Sequence, residues 1–251
     1  AVQRWGRVTA PIDGAPTGLA AGPSGTFLVT TDEYGVFQLD DALSNVVHRV
    51  VLDPAFSIDV RPLAGTVYLG PDTLAVLSVN KSYVLLQPDP DADPDREWRH
   101  FLETDGGVME LRRSRFATVR ARLQYASSLA YDPVADELIT VSVPSERHPR
   151  WVVSRFDRSD FILSSELVPE LGPGLELAGS ERGLREYVVT GAAVADRQLY
   201  AISAAYSTLL VIDLASGAVT AAYAVPGIQQ PVGLAARGEE LLSASFLEDR
   251  W

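Results

Sequence analysis

The chain has no cysteine, one methionine and three histidines in 251 residues. Without cysteine there is no disulfide framework, no thiolate zinc site and no cysteine nucleophile. His48, His100 and His148 stand far apart, and none has a histidine partner two or four residues on, so no local spacing suggests a histidine metal site. Basic residues are in deficit, with 21 Lys and Arg against 33 Asp and Glu and a net charge of −12. Phosphate binding needs a basic footprint, and so does docking on anionic lipid. Nucleic acid and such membranes are therefore excluded as main partners. No apolar run reaches the roughly 18 residues of a membrane-spanning helix. Nor is there a G-x-S-x-G, a Walker A loop, a dinucleotide fingerprint or an H-E-x-x-H. Gly172-Pro173-Gly174 and Asp105-Gly106-Gly107 are turn signals. No 3.6-residue apolar period lasts for even about 12 residues, so no long helix is expected.

What remains is a globular composition, 47% hydrophobic and 22% charged, organised as a repeat. Pro16–Ala20, the turn Gly22–Gly25, Thr26–Thr30, a loop at Asp32–Tyr34, Gly35–Asp40 and Val46–Leu52 make one unit of four short strands. The unit returns at Ala126–Tyr131, Glu137–Val141, Trp151–Phe156 and Phe161–Leu167. It returns again at Thr190–Val194, Gln198–Ile202, Thr208–Asp213 and Ala218–Val225. A partial copy, Pro231–Ala235 and Glu240–Ser245, ends the chain. A weaker one runs from Ser57 through Thr73–Val79, Tyr83–Gln87 and Glu97–Leu102. The strands are β-branched and aromatic, with turn residues between them. Four strands at a spacing near 41 residues is the cadence of propeller blades, stretched by inserts at Pro88–Arg96 and Glu170–Glu186. The expectation is one all-β domain over residues 1–251, a β-propeller of about five four-stranded blades. Six blades, or a β-sandwich, are the alternatives. The Val2–Thr9 segment is expected to complete the last blade, joining N- and C-terminal strands to close the ring. Trp5, Trp98, Trp151 and Trp251 are expected between blades or near the termini.

Specific residues carry a resemblance. Gln198–Ser203 followed by Leu209–Gly217 resembles the blade of YVTN-repeat propellers. Ile228–Ala235 is similar to the first strand of the next blade in those proteins and in NHL-type propellers. Tyr125–Pro133 resembles a strand of phytase-like and esterase-like propellers, which often carry a channel-facing Glu where this chain has Tyr125 or Ala126. The resemblance implies blade architecture and transfers no catalytic residue.

In a propeller the loops between second and third strands gather on one face, around the axis. Here they supply Asp32, Glu33 and Tyr34, then Asn80, then Glu146 and His148, then Tyr206, then Glu248 and Asp249. Carboxylates, an amide, an imidazole and aromatics converging there suit a polar ligand, or paired-carboxylate acid–base chemistry. The plainer reading is a set of ordinary polar loops. Asp89, Asp91 and Asp93 alternate as calcium ligands do, since calcium takes several hard oxygens. Pro94 and His100 stand where an EF-hand loop needs Gly and Glu, so a solvated acidic loop is the alternative. No other cofactor is expected. Arg112, Arg113 and Arg115, with Arg120 and Arg122, form an anion site or partner patch, or else pair with the protein's own acidic loops.

The leading expectation is an extracytoplasmic propeller, periplasmic or secreted, or the soluble part of an anchored protein, that binds a small polar molecule or a protein. A start at Ala1 fits removal of an upstream segment, and the Ala/Arg/Asp-rich usage is bacterial in character. The main rival is a metal-assisted hydrolase or lyase of a phosphoester, lactone or sugar using carboxylates at the channel mouth. A third reading is a structural assembly module marked by an exposed apolar edge.

Overall fold

The computed structural model describes residues 8–33, 35–51, 63–70, 73–79, 82–86, 114–115, 125–159, 162–177 and 183–245. Within them the chain is almost entirely β, and its helical pieces are two 3₁₀ turns, Pro23–Gly25 and Gly183–Glu186. The strands form five sheets. The first holds β1 (Pro16–Ala21), β2 (Phe27–Thr31), β3 (Gly35–Leu39) and β4 (Val46–Val51), paired antiparallel in chain order. The second holds β5 (Leu63–Tyr68), β6 (Leu74–Ser78), β7 (Ser82–Leu86) and β8 (Ser114–Arg115). The third holds β9 (Ala126–Asp132), β10 (Glu137–Ser142), β11 (Val153–Asp157) and β12 (Leu163–Leu167). The fourth runs β14 (Val189–Ala195), β15 (Gln198–Ser203), β16 (Thr208–Asp213) and β17 (Ala218–Ala224). A short parallel strand, β13 (Glu170–Leu171), covers its outer edge. The fifth has β18 (Pro231–Arg237) and β19 (Glu240–Ser245).

Burial falls from the first three strands of a sheet to the fourth. β2 and β3 are buried at every position, whereas β12 has no buried position and β17 has one, Val219. Inner strands covered on both faces need apolar side chains pointing both ways. They therefore read as continuous hydrophobic runs, and alternation survives poorly in the sequence. On β10, Ile139 and Val141 pack toward Leu199, Ala201, Leu210 and Ile212 of the fourth sheet, while Leu138 packs toward Leu77 of the second. Phe27, Val29 and Phe37 of the first sheet meet Ala235, Leu242 and Ala244 of the fifth. The core thus lies in seams between sheets, each fully buried Leu, Ile or Phe contributing roughly 1.5–3 kcal/mol.

The first strands pack side by side: β1 on β5, β5 on β9, β9 on β14, β14 on β18, and β18 on β1. Glycine permits the approach. A Cβ at Gly18 would lie 2.9 Å from Gly65 Cα, one at Gly65 2.8 Å from Leu129 N, and one at Gly191 2.3 Å from the Gly233 carbonyl carbon.

One boundary of the second sheet differs from the sequence reading, while Ser57, its expected start, lies outside the described residues. That sheet's fourth strand is β8, inside the arginine cluster rather than at Glu97–Leu102, a segment that lies outside the described residues. The insert expected at Glu170–Glu186 contributes β13 and a 3₁₀ turn. Of the Val2–Thr9 segment expected as a closing strand, residues 2–7 also lie outside the described residues, and Val8 and Thr9 are in no strand. Thr9 and Ala10 donate their amides to Leu43 O, in the β3–β4 loop of the first sheet.

Candidate functional site

One end of the assembly gathers the starts of the first strands and the ends of the second. Thr190 Oγ1, at the start of β14, donates to Pro231 O at the start of β18 (2.5 Å). Ala126 N, at the start of β9, donates to Val79 O, just past β6 (2.8 Å). Among the described residues, the loops that follow β2, β10 and β15 begin at this upper end.

Each pairing of first and second strands is interrupted near this end by a register shift. In four sheets the extra residue is Thr17, Ala64, Ser127 or Thr190. Bulges re-aim side chains and recur beside functional sites. Thr17 Oγ1 donates to Thr30 Oγ1 (3.1 Å) and Ser127 Oγ to Val141 O (3.3 Å). All five second strands end on a hydroxyl: Thr31, Ser78, Ser142, Ser203 and Ser245. Thr31 Oγ1 accepts from Gly35 N (3.3 Å) and Ser142 Oγ from Val152 N (2.7 Å), while Ser245 Oγ donates to Gln229 O. The sequence reading missed this row, although the Ser/Thr ending every second strand is visible once the strands are aligned.

Asp32 is used by the fold. Its Oδ1 accepts from Ala15 N (2.7 Å) and its amide donates to Ala15 O (3.0 Å), tying the β2–β3 loop to the start of β1. Gly14 makes room, since a Cβ there would lie 2.5 Å from Asp32 Oδ1. Glu33, beside it, is exposed. Glu146 is exposed at the tip of a tight loop closed by Ser145 N to His148 O (2.9 Å) and His148 N to Ser145 O (3.1 Å). His148 is half-buried at the base of that loop. Val143 N, where the loop begins, donates to Tyr125 O (2.6 Å), and Tyr125 is 63% exposed.

Tyr206 is engaged as well. Its hydroxyl donates to Glu186 Oε2, and its ring stacks on buried Tyr187 with centroids 4.6 Å apart. Trp151 Nε1 donates to Leu184 O (3.1 Å), so the Gly183–Glu186 turn is pinned to the third and fourth sheets together. Trp151 is buried in the seam between those sheets, as expected of it. Glu186 and Tyr187 escaped the sequence reading because their segment carries no strand signal.

Tyr34, Asn80, Glu248, Asp249, Arg112, Arg113 and the calcium candidates Asp89, Asp91 and Asp93 lie outside the described residues. So do His100, Trp5, Trp98 and Trp251. Arg115 is on β8, the outer strand of the second sheet, with its backbone paired to Ser82. Among the described residues no three His, Asp or Glu side chains come together as a metal-binding group. No helix among them is long and apolar enough to cross a membrane.

No protein-family model and no curated protein sequence matches the chain. Solved structures do. Glutaminyl cyclase of Myxococcus xanthus superposes with a TM-score of 0.59 at 15% identity, over 93% of this chain and 86% of that one. A chain of the nidogen/laminin complex superposes with a TM-score of 0.53 at 14% identity, over 88% and 68%. The fold is propeller-like. At these identities the likeness fixes architecture and leaves chemistry to the residues.

Proposed function

We propose that the five sheets are the blades of one closed, five-bladed β-propeller spanning the chain. Its upper end is a recognition surface for a small polar molecule or a protein, working outside the cytoplasm. The cyclic packing of β1, β5, β9, β14 and β18 supports the ring. The observation that carries the functional reading is Tyr125, more than half exposed and joined through its carbonyl to the loop that presents Glu146 and His148. An exposed aromatic beside charged, hydrogen-bonding side chains is the composition of a binding hot spot. Asp32 and Tyr206 hold the loops, and Glu33, Glu146 and Tyr125 face outward to make contact.

The two structural neighbours span both classes of function, one named as an enzyme and the other as part of a protein complex. Turnover of a peptide with N-terminal glutamine, followed by ammonia release, separates them for this chain. A recognition propeller releases none above the blank. A rate abolished by Glu33→Gln or Glu146→Gln replaces the recognition reading with catalysis. The metal-assisted hydrolase or lyase, with its metal held by carboxylates at the channel mouth, is the second reading.

A further inference from the structure

Five first strands meet near the axis, and at the point of contact four place glycine: Gly18, Gly65, Gly191 and Gly233. The third sheet places Ser128. Its register is the same, for Ser128 stands opposite Val141 as Gly18 stands opposite Thr30, Gly65 opposite Leu77 and Gly191 opposite Ile202. At each glycine the Cβ direction meets the following sheet, Gly65 facing Leu129 and Gly191 facing Gly233. Ser128 therefore turns its hydroxyl into the seam between β9 and β14.

Ser203, ending β15, faces the same seam. It shares the alternation of Leu199 and Ala201, which pack there against Ala130, Ile139 and Val141. Ser128 is 3% exposed and Ser203 fully buried, and neither hydroxyl has a hydrogen-bond partner among the described residues. A buried hydroxyl left unpaired is costly, and native proteins rarely leave one so. Two on facing walls of one seam, near the same end, call for a common solution. Ser127 and Thr190, next to these strands' contact points, have committed their protons to Val141 O and Pro231 O and keep acceptor lone pairs. Buried Trp151 and Tyr187 belong to the same cluster, so bulk solvent is kept out.

We infer that the seam between the third and fourth sheets holds an internal water site, in which ordered water hydrogen-bonds Ser128 and Ser203. Water fits because both hydroxyls are too buried for a larger ligand, and an internal water typically makes about three bonds to such groups. Serine in place of glycine at position 128 is then a hydration device, giving one of the five seams a polar centre.

A crystal structure of the whole chain at about 1.5 Å or better reads this directly. Expected is solvent density within hydrogen-bond distance of both hydroxyls. The Ser203→Ala variant should lose or weaken that density and melt roughly 2–4 °C lower. A seam with no solvent, its hydroxyls turned onto backbone carbonyls, would overturn the site. So would a Ser203→Ala variant that melts higher, because removing a dry, orphaned hydroxyl relieves its burial cost.

Discussion

The guanidinium of Arg237, the last residue of β18, lies 4.7 Å from the centroid of the Phe27 ring at the start of β2. It also ion-pairs with Asp41, in the β3–β4 loop, and donates to Gly25 O (3.4 Å). One side chain from the fifth sheet thus touches three segments of the first, where the end of the chain returns to its beginning. Stacking on the ring is worth about 0.5–1 kcal/mol at a partly exposed site, and the ion pair about 0–1 kcal/mol. Arg237→Ala should lower the melting temperature by roughly 2–4 °C. Arg237→Lys should recover only part of that, since lysine lacks the planar fork. A melt of Arg237→Ala indistinguishable from wild type would show that this clasp contributes nothing to stability.

Backbone proximity sets the tolerance of the glycines. A Cβ at Gly191 would sit 2.3 Å from the Gly233 carbonyl carbon, and backbone cannot swing aside. Gly191→Ala should cost roughly 3 kcal/mol, the upper end of overpacking losses. Gly238 has φ +58° with open space around it. Gly238→Ala should cost only the roughly 1 kcal/mol of a left-handed alanine. Urea unfolding of the two variants measures the difference.

Much of the architecture was legible because local chemistry repeats. Ala215-Ser216-Gly217 announces the β16–β17 turn, and Asp213 accepts there from Ala215 N (3.0 Å) and Ser216 Oγ (2.7 Å). The second sheet is poorly legible. Leu63–Tyr68 has glycine at its centre, and the outer strand β8 is two residues long and far along the chain. The site was less legible still. Sequence places Asp32 and Tyr206 in the right loops. It cannot show that a backbone amide and a glutamate carboxylate already occupy them, since those partnerships depend on which segments fold alongside. Ser128 was hidden for the same reason: only the register reveals that it replaces a glycine.

Acid should act through Asp40, where hydrogen bonds from Asn45 and Ser44 hold the carboxyl at about 2, below its ordinary 3.8. The folded state thus binds this proton more weakly than the unfolded chain. The resulting stability is complete above the unfolded value and is lost as the pH falls from about 4 toward 2. Asp40→Ala should remove that part of the pH dependence, so its stability curve should be flatter than wild type across this window. Equilibrium unfolding at a series of acidic pH values tests the slope.

Arg155 and Glu137 form a largely buried pair on β11 and β10, with Ser164 Oγ donating to Glu137 Oε1 (2.5 Å). Arg155 Nη1 also reaches Leu214 O of the fourth sheet (3.3 Å). Removing one partner strands the other charge, at a cost near 3 kcal/mol. Arg155→Ala should therefore destabilise strongly, while Glu137→Gln, which keeps hydrogen-bonding atoms in place, should cost less. Denaturant midpoints of the two variants give the comparison.

Recognition at the upper end is tested most directly by a thermal-shift screen of the purified chain. The panel is amino acids, short peptides, sugars and calcium, run in parallel on a Tyr125→Ala/Glu146→Ala double variant. A ligand at about 100 times its dissociation constant adds roughly 2.7 kcal/mol to the folded state, enough to move the melt visibly. Expected is a polar ligand whose shift disappears in the double variant. A ligand whose shift survives there unchanged would contradict recognition at the upper end, as would a shift produced by calcium alone.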